Sequence, residues 1–294
     1  MAPHRVFGGD WTKEKLDLLA KYLSAYVKIF TKNPQAQFFH TVYVDAFAGT
    51  GYIRRARKDI AQFGLFEELS EDEAKEYTKG SAVRALEVEP GFKEYLFVER
   101  DPHRFRELES LKERYPGKMI SVKNVDANEY LKSWCSETDW RKTRAVIFLD
   151  PYGMQVEWSL VEQIAGTHGV DLWLLFPLGA AVMRLLKKRE LPPQGWADRV
   201  TAIVGTEEWR KEFYKPRKSD TLFATVETEE READYEAVAE FFLKRLRSVF
   251  AGVAENPYVL KNSKNCPLYL FCFAAGYVKS AETAVKIAQD IMKG

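Results

Sequence analysis

A doubly wound α/β fold is what this 294-residue chain predicts, on three observations. Short, almost wholly apolar runs alternate with stretches of helical period through residue 176. Three of those runs end in an acid: Asp45, Glu99 and Asp150. A glycine turn, Gly49-Thr-Gly51, follows the first of them. Alternating strands and helices specify a mostly parallel sheet. Continuous apolar runs are strands covered on both faces, and the carboxyl ends of such strands are where open α/β sheets bind ligands.

Taken in order, residues 11–30 read as a helix. Asp10 is placed to cap it, Leu16, Leu19, Leu23, Tyr26 or Val27, and Phe30 mark its buried face, and Asn33-Pro34 ends it. Val42 to Phe47 is the first strand. Arg54, Arg55, Arg57 and Lys58 and an acidic stretch from Glu67 to Glu76 then separate the glycine turn from the next helix. We read about 52–79 as an insertion over the site, because a connection this long in a compact domain is normally functional. A helix with Ser81 as N-cap follows, to about Val88. Next come a strand at 95–99, a helix near 102–114, a short strand near 119–123 and a helix near 127–134. A strand at 145–149, a helix near 157–166 and a strand at 170–176 complete the alternation. Ala180 to Arg189 and Ala233 to Phe250 read as amphipathic helices within a helical appendage at about 180–250. Pro257 to Lys261 and Leu268 to Ala275 read as a closing hairpin; residues 194–218 give no clear element. The expectation is one domain, 1–294, with a Rossmann-like sheet of seven strands, mostly parallel, ending in an antiparallel C-terminal hairpin strand and flanked by helices.

Composition narrows the function classes. No run of 18 apolar residues is present, so no membrane span is expected, and Met1 to Arg5 lacks a signal-peptide layout. Cys135, Cys266 and Cys272 have no ligand spacing, nor do His40, His103 and His168, so no metal is expected and a reduced cytoplasmic setting fits. Lys and Arg number 44 against 43 Asp and Glu. A nucleic-acid partner must therefore be met by local patches. Arg54, Arg55, Arg57 and Lys58 lie beside the glycine turn; Lys187-Lys188-Arg189 and Lys215-Arg217-Lys218 are further clusters. Solvated helix faces and loops produce the same pattern.

The acids carry the chemistry. A dinucleotide turn needs a third glycine opening a helix onto a pyrophosphate; here that position is Arg54 and the helix is delayed to about Ser81. S-adenosylmethionine has no phosphate, and its ammonium needs a carboxylate, which Asp45 can supply beside Phe47, Ala48, Gly49 and Gly51. A tight strand-to-helix turn without a ligand uses the same glycines. Glu99, followed by Arg100 and with Asp101 as a second choice, is placed to accept both ribose hydroxyls. Asp126-Ala127-Asn128 follows the third strand, where an adenine amino group would sit and Asp126 could accept its N–H, and Asp126 is equally a helix cap. Asp150-Pro151-Tyr152-Gly153 puts a carboxylate at a strand end with an aromatic two residues on. The acid can orient an amine and help remove its proton, while Tyr152 stacks a planar substrate. A plain Asp-Pro turn ending in glycine is the bland alternative.

These residues resemble two groups. Phe7-Gly-Gly-Asp-Trp-Thr-Lys-Glu-Lys-Leu16, Val44-Asp-Ala-Phe-Ala-Gly-Thr-Gly51, Gly80-Ser81, Phe97-Val-Glu99 and Phe148-Leu-Asp-Pro-Tyr-Gly153 together resemble the three-Cys-motif partner family, over most of the chain. That resemblance implies a partner, a cysteine-motif protein similar to radical S-adenosylmethionine enzymes, and no substrate. The chain is also similar to class I S-adenosylmethionine-dependent methyltransferases, which implies cofactor or catalytic roles for Asp45, Gly49, Gly51, Glu99, Asp126 and Asp150. Asp150-Pro-Tyr-Gly departs from the D-P-P-Y motif of amino methyltransferases. It is closer to the D-P-F/Y-G motif of enzymes that dimethylate a guanine amine in transfer RNA, which favours an RNA amine. The expected function is methyl transfer to a nucleic-acid amine, RNA before DNA. The rival is an accessory cofactor-binding partner without catalysis. A nicotinamide-dependent oxidoreductase is disfavoured by Arg54 and the delayed helix.

Overall fold

Five parallel strands carry the site. They are β1 (His40–Asp45), β2 (Glu94–Val98), β3 (Ile120–Lys123), β4 (Thr143–Leu149) and β5 (Val170–Phe176), side by side in the order β3-β2-β1-β4-β5. The structure is a computed structural model and describes residues 10–49, 52–53, 78–220, 225–262 and 264–293. Beyond β5, β6 (Gly252–Val253), β7 (Tyr258–Lys261) and β8 (Pro267–Ala275) complete the sheet. β8 runs antiparallel to β5, and both β6 and β7 pair with its other edge. Eight strand segments thus fill seven positions, as the predicted parallel sheet with a C-terminal antiparallel pair requires. All seven residues of β4 and all seven of β5 are buried, which is why their sequences carry no alternation.

Helices cover both faces. α1 (Asp10–Lys32), α2 (Ser81–Leu86) and α3 (Pro102–Glu109) lie on one side. α4 (Ala127–Glu137), α5 (Trp158–Gly166), α6 (Gln194–Val204) and α7 (Tyr235–Arg247) lie on the other. A final helix, α8 (Ala281–Lys293), joins the first group and was not foreseen. The chain changes sides between β1 and β4, the topological switch point at which doubly wound sheets open a crevice.

α1 is fixed in height against the sheet. Tyr22 packs on Trp173 and Phe273, with ring centroids 5.3 and 4.9 Å away. Its hydroxyl donates to Asp171 Oδ2 at 2.7 Å. Burial pushes the Asp171 carboxyl up to about 6, and the Tyr22 hydrogen bond counters part of that rise. Asp171 pairs with Val146 in the register of β5 on β4, so this contact sits four residues below Asp150. Lys15 lies seven residues before Tyr22, about 10 Å along a helix, which delivers it to the level of Asp150, about 13 Å along a strand.

Several elements differ from expectation for identifiable reasons. Gly80, not Ser81, is the N-cap of α2, and no side chain caps that helix. The helix expected from 102 to 114 divides at Ser110. The helix expected from 180 to 189 is a buried π-helical turn, Leu178–Val182, followed only by Met183–Leu185. Gly179 there approaches so closely that a Cβ would meet the Pro267 carbonyl at 1.9 Å. Between 194 and 231 the chain forms α6, a short helix Trp209–Phe213, and an antiparallel ladder of Tyr214–Asp220 with Thr225–Arg231. At the base of the insertion, Tyr52 and Ile53 pair antiparallel with Lys79 and Thr78; residues 54–77 lie outside the described residues. Among the described residues no helix is long and apolar enough to cross a membrane.

Candidate functional site

Strand register brings the three acids to one edge and one face. Asp45 is the last residue of β1 and sits level with Phe97 of β2 and Phe148 of β4. Glu99 and Asp150 each lie two residues beyond those partners. Because side chains alternate across a strand, the shared parity sends all three acids toward the face that carries α1 and α2. Neighbouring strands are about 4.8 Å apart, so the three carboxyls stand on adjacent strands at the carboxyl edge of the sheet, beside the switch point between β1 and β4.

The glycine turn is tied to the second acid. Gly49 takes φ +61°, a left-handed backbone that favours glycine. Its N–H donates to Glu99 Oε2 at 3.0 Å, while Glu99 Oε1 accepts from Asp101 N at 2.8 Å. Ala48 N donates to the Val98 carbonyl at 3.2 Å, and Phe47 packs on the core of the opposite layer. Glu99 is 8% exposed. Burial raises its pKa, against the hydrogen bond from the Asp101 N–H, the Arg104 charge and the Gly49 N–H. A carboxylate has about four acceptor positions, so two backbone donors leave room for a diol.

Asp45 is shut from solvent. The Phe47 N–H reaches its Oδ1 at 3.4 Å, and its Oδ2 is buried with no hydrogen-bond partner among the described residues. Burial pushes its pKa up to about 7, with the Ser81 hydroxyl opposing, Asp150 adding, and the Phe47 N–H and Lys15 opposing. The Tyr43 hydroxyl, two residues earlier on the same face, is likewise a buried atom without a partner among the described residues.

Asp150 is held by a residue the sequence analysis did not single out. Lys15 Nζ, from α1, lies 2.5 Å from Asp150 Oδ2, with side-chain exposures of 5% and 26%. A signal was present: position 15 falls on the stripe continued by Leu19, Tyr22 and Tyr26, so a lysine there must be paired or displaced. Past Asp150, Pro151 is buried and Tyr152 is exposed, with its N–H donating to Gln155 Oε1 at 3.1 Å. Asn128, part of the Asp126-Ala-Asn motif but given no role of its own from sequence, secures this loop. Its Nδ2 donates to the Gln155 carbonyl at 2.8 Å and its Oδ1 accepts from Glu157 N at 3.0 Å.

The other expected positions divide. Asp126 caps α4 through Asn128 N and Glu129 N, at 2.9 and 3.3 Å, and Ala127 is buried behind it. Arg100 is exposed, its guanidinium 4.0 Å from Asp126 Oδ2. Asp101 caps α3 through His103 N and Arg104 N, which occupies the second-choice ribose acid. Gly51, Arg54, Arg55, Arg57 and Lys58 lie outside the described residues. Lys187 pairs with Glu190 and Arg217 with Glu230, so those basic clusters are partly neutralised.

The donor set fits a group carrying an ammonium and a vicinal diol. Among the described residues Asp45 Oδ2 is a buried acceptor with no hydrogen-bond partner, Glu99 keeps acceptor positions beyond its two backbone donors, and nothing lies within 4 Å of where a Cβ on Gly49 would stand.

No family model matches the chain, and no curated protein matches it. Among solved structures, it is similar to a Legionella pneumophila protein of the family model DUF519, at TM-score 0.50 and 12% identity, over 97% of this chain and 92% of that one. That likeness concerns the fold alone. An Escherichia coli protein provisionally described as a methyltransferase matches at TM-score 0.26 and 13% identity, over 72% of this chain and 86% of that one. A Haemophilus influenzae protein provisionally described as a methylase matches at TM-score 0.29 and 13% identity, over 71% and 98%. These last two are too distant to bear on function.

Proposed function

We propose that the chain transfers a methyl group from S-adenosylmethionine to an exocyclic amine of a nucleic acid, RNA before DNA. The observation that carries this reading is the register of Asp45, Glu99 and Asp150, which sets three acids on one face of the switch-point crevice. When bound, S-adenosylmethionine supplies a methyl carbon whose bond to sulfur breaks as the new bond to nitrogen forms, the electron pair leaving with sulfur.

The chain's own residues do the rest. Asp45 receives the ammonium, and Glu99, pinned by two backbone N–H groups, receives the ribose hydroxyls. Asp126 and Ala127 border the adenine edge. At Asp150, Oδ2 is occupied by Lys15, which directs Oδ1 to the incoming amine. A ring-conjugated amine is a poor nucleophile; accepting its N–H turns the lone pair toward the electrophile and takes up the departing proton. Tyr152, exposed at the lip, stacks the base. The Asp-Pro-Tyr-Gly spacing supports an RNA amine over a DNA one. Residues 54, 55, 57 and 58 are the cationic contribution we assign to the strand.

The test is label transfer from S-adenosylmethionine to bulk RNA. Wild type should incorporate label, and Asp150→Ala should lower the rate about 10²- to 10⁴-fold. A second reading is favoured by the tight Lys15 pairing, which leaves the acid partly satisfied: an accessory protein that binds the cofactor and docks on a three-Cys-motif protein. It predicts cofactor binding without label transfer, indifferent to Asp150.

A further inference from the structure

The turn that follows β4 is closed by one side chain. Pro151 sits directly after Asp150, and Gly153 takes φ +77°, a left-handed backbone that suits glycine. Between them stands Tyr152. Gln155 reaches back three residues, and its Oε1 accepts from Tyr152 N at 3.1 Å. The backbone of Gln155 is itself fixed from α4, where Asn128 Nδ2 donates to its carbonyl at 2.8 Å. On either side, Met154 packs on the core and Val156 is buried. Gln155 therefore holds the Tyr152 amide from a platform anchored in α4. Methyl transfer as described gives it no role.

We propose that Gln155 is a substrate-positioning residue. It sets the direction in which Tyr152 presents its ring, and so where the target base stands relative to Asp150. This rests on the methyl-transfer reading for the nature of the planar group on Tyr152. Tyr152 is 56% exposed, so water would satisfy its N–H without help. The bond from Gln155 thus orients the chain and does not rescue a buried donor. The ring of Pro151 locks its own φ, which leaves the backbone angles at Tyr152 and Gly153 to whatever closes the turn, and Gln155 closes it. Lys15 holds Asp150 at one end of the turn, and Asn128 holds Gln155 at the other. Acid and aromatic are thereby fixed in one frame. Such a frame matters because a reacting pair misplaced by about 1 Å can lose about 10²-fold in rate.

The experiment is a double-mutant cycle between Gln155 and Tyr152. It is read by fluorescence anisotropy with a mixed-sequence single-stranded RNA of about 12 nucleotides, long enough for one single-strand site. The full chain is used with saturating S-adenosylhomocysteine, as wild type, Gln155→Met, Tyr152→Ala and the double variant, with thermal melts to establish folding. Methionine matches glutamine in length and offers only a weak acceptor. Gln155→Met should weaken RNA binding about 3- to 10-fold and quicken exchange of the Tyr152 amide, with S-adenosylhomocysteine affinity unchanged. In the Tyr152→Ala background the same change should have no further effect on RNA, because Gln155 acts through that ring. The inference is overturned by wild-type RNA affinity in Gln155→Met, by a loss that persists undiminished in Tyr152→Ala, by a loss that extends to S-adenosylhomocysteine, or by no RNA binding in wild type. Label transfer is scored separately. RNA binding with the Gln155–Tyr152 coupling but no transfer would keep this inference and reject methyl transfer; transfer in wild type without the coupling would do the reverse.

Discussion

Lys15 Nζ and Asp150 Oδ2 lie 2.5 Å apart, joining the first helix to the end of the fourth strand across 135 positions of sequence. The lysine is almost fully buried and the acid about a quarter exposed, so the pair is neither a surface bridge nor a sealed core pair. Removing one partner leaves the other charge partly desolvated. Lys15→Ala should therefore cost on the order of 1–3 kcal/mol of stability, less than a fully buried pair because Asp150 retains solvent. In the methyl-transfer reading it should also lower kcat more than it raises KM for RNA, since Asp150 loses its fixed orientation. Denaturant unfolding and steady-state kinetics check the two effects independently.

Asp45 should make both stability and cofactor affinity depend on pH, with opposite signs. Its pKa is raised from the usual carboxylate range to about 7 by burial. A raised acid stabilises the fold in its protonated form. That contribution is complete below about pH 4 and is lost as pH rises through about 7. Asp45→Asn keeps the neutral form, so its stability relative to wild type should grow between pH 5 and pH 8, by on the order of 2–4 kcal/mol at most. Pairing with an ammonium needs the ionised form, so wild-type affinity for S-adenosylhomocysteine should rise across the same window. In Asp45→Asn it should be flat. A flat wild-type profile would remove Asp45 from the ammonium.

Asn128 should matter to a loop it is not part of. Its amide bridges Gln155 and Glu157, just past the Asp-Pro-Tyr-Gly turn, and the residue is 8% exposed. Asn128→Ala leaves a backbone carbonyl and an N–H unpaired, at a cost of about 1–3 kcal/mol. Thermal melts read that cost. Accelerated amide exchange confined to residues 151–157 would show where it falls.

Tyr152 should act through binding. Its ring is 56% exposed at the lip, and base stacking on an aromatic contributes about 1–3 kcal/mol. Tyr152→Ala should raise KM for RNA about 5- to 150-fold with little change in stability, while Tyr152→Phe stays near wild type. An equal loss in both variants would assign the role to the hydroxyl.

What could be read in advance follows from physical locality. Strands β1, β2, β4 and β5 were legible because burial on both faces leaves mostly apolar runs, with polar positions such as Thr41, Arg144 and Asp171 confined to their first residues. The acids were legible because they end those runs. Lys15 needed more: its stripe with Leu19, Tyr22 and Tyr26 was visible, but only the height set by Tyr22 on Asp171 brings it to Asp150. The segment after β5 misled because Leu178 to Val182 is apolar at every position, which suits a helix face and a buried π turn alike. The Tyr214–Arg231 ladder escaped notice because charged residues fall at both odd and even positions of its two strands, leaving no alternating apolar face to read. Register itself is non-local, so the common face of Asp45, Glu99 and Asp150 could be wagered on from sequence, while establishing it took the strand pairings.

Calorimetric titration of S-adenosylhomocysteine into wild type and Glu99→Ala, with circular dichroism on both, tests the crevice most directly. The account predicts a saturable heat in wild type and at least a tenfold weaker one in a folded Glu99→Ala. No heat in wild type, or equal affinity in the two proteins, would contradict it.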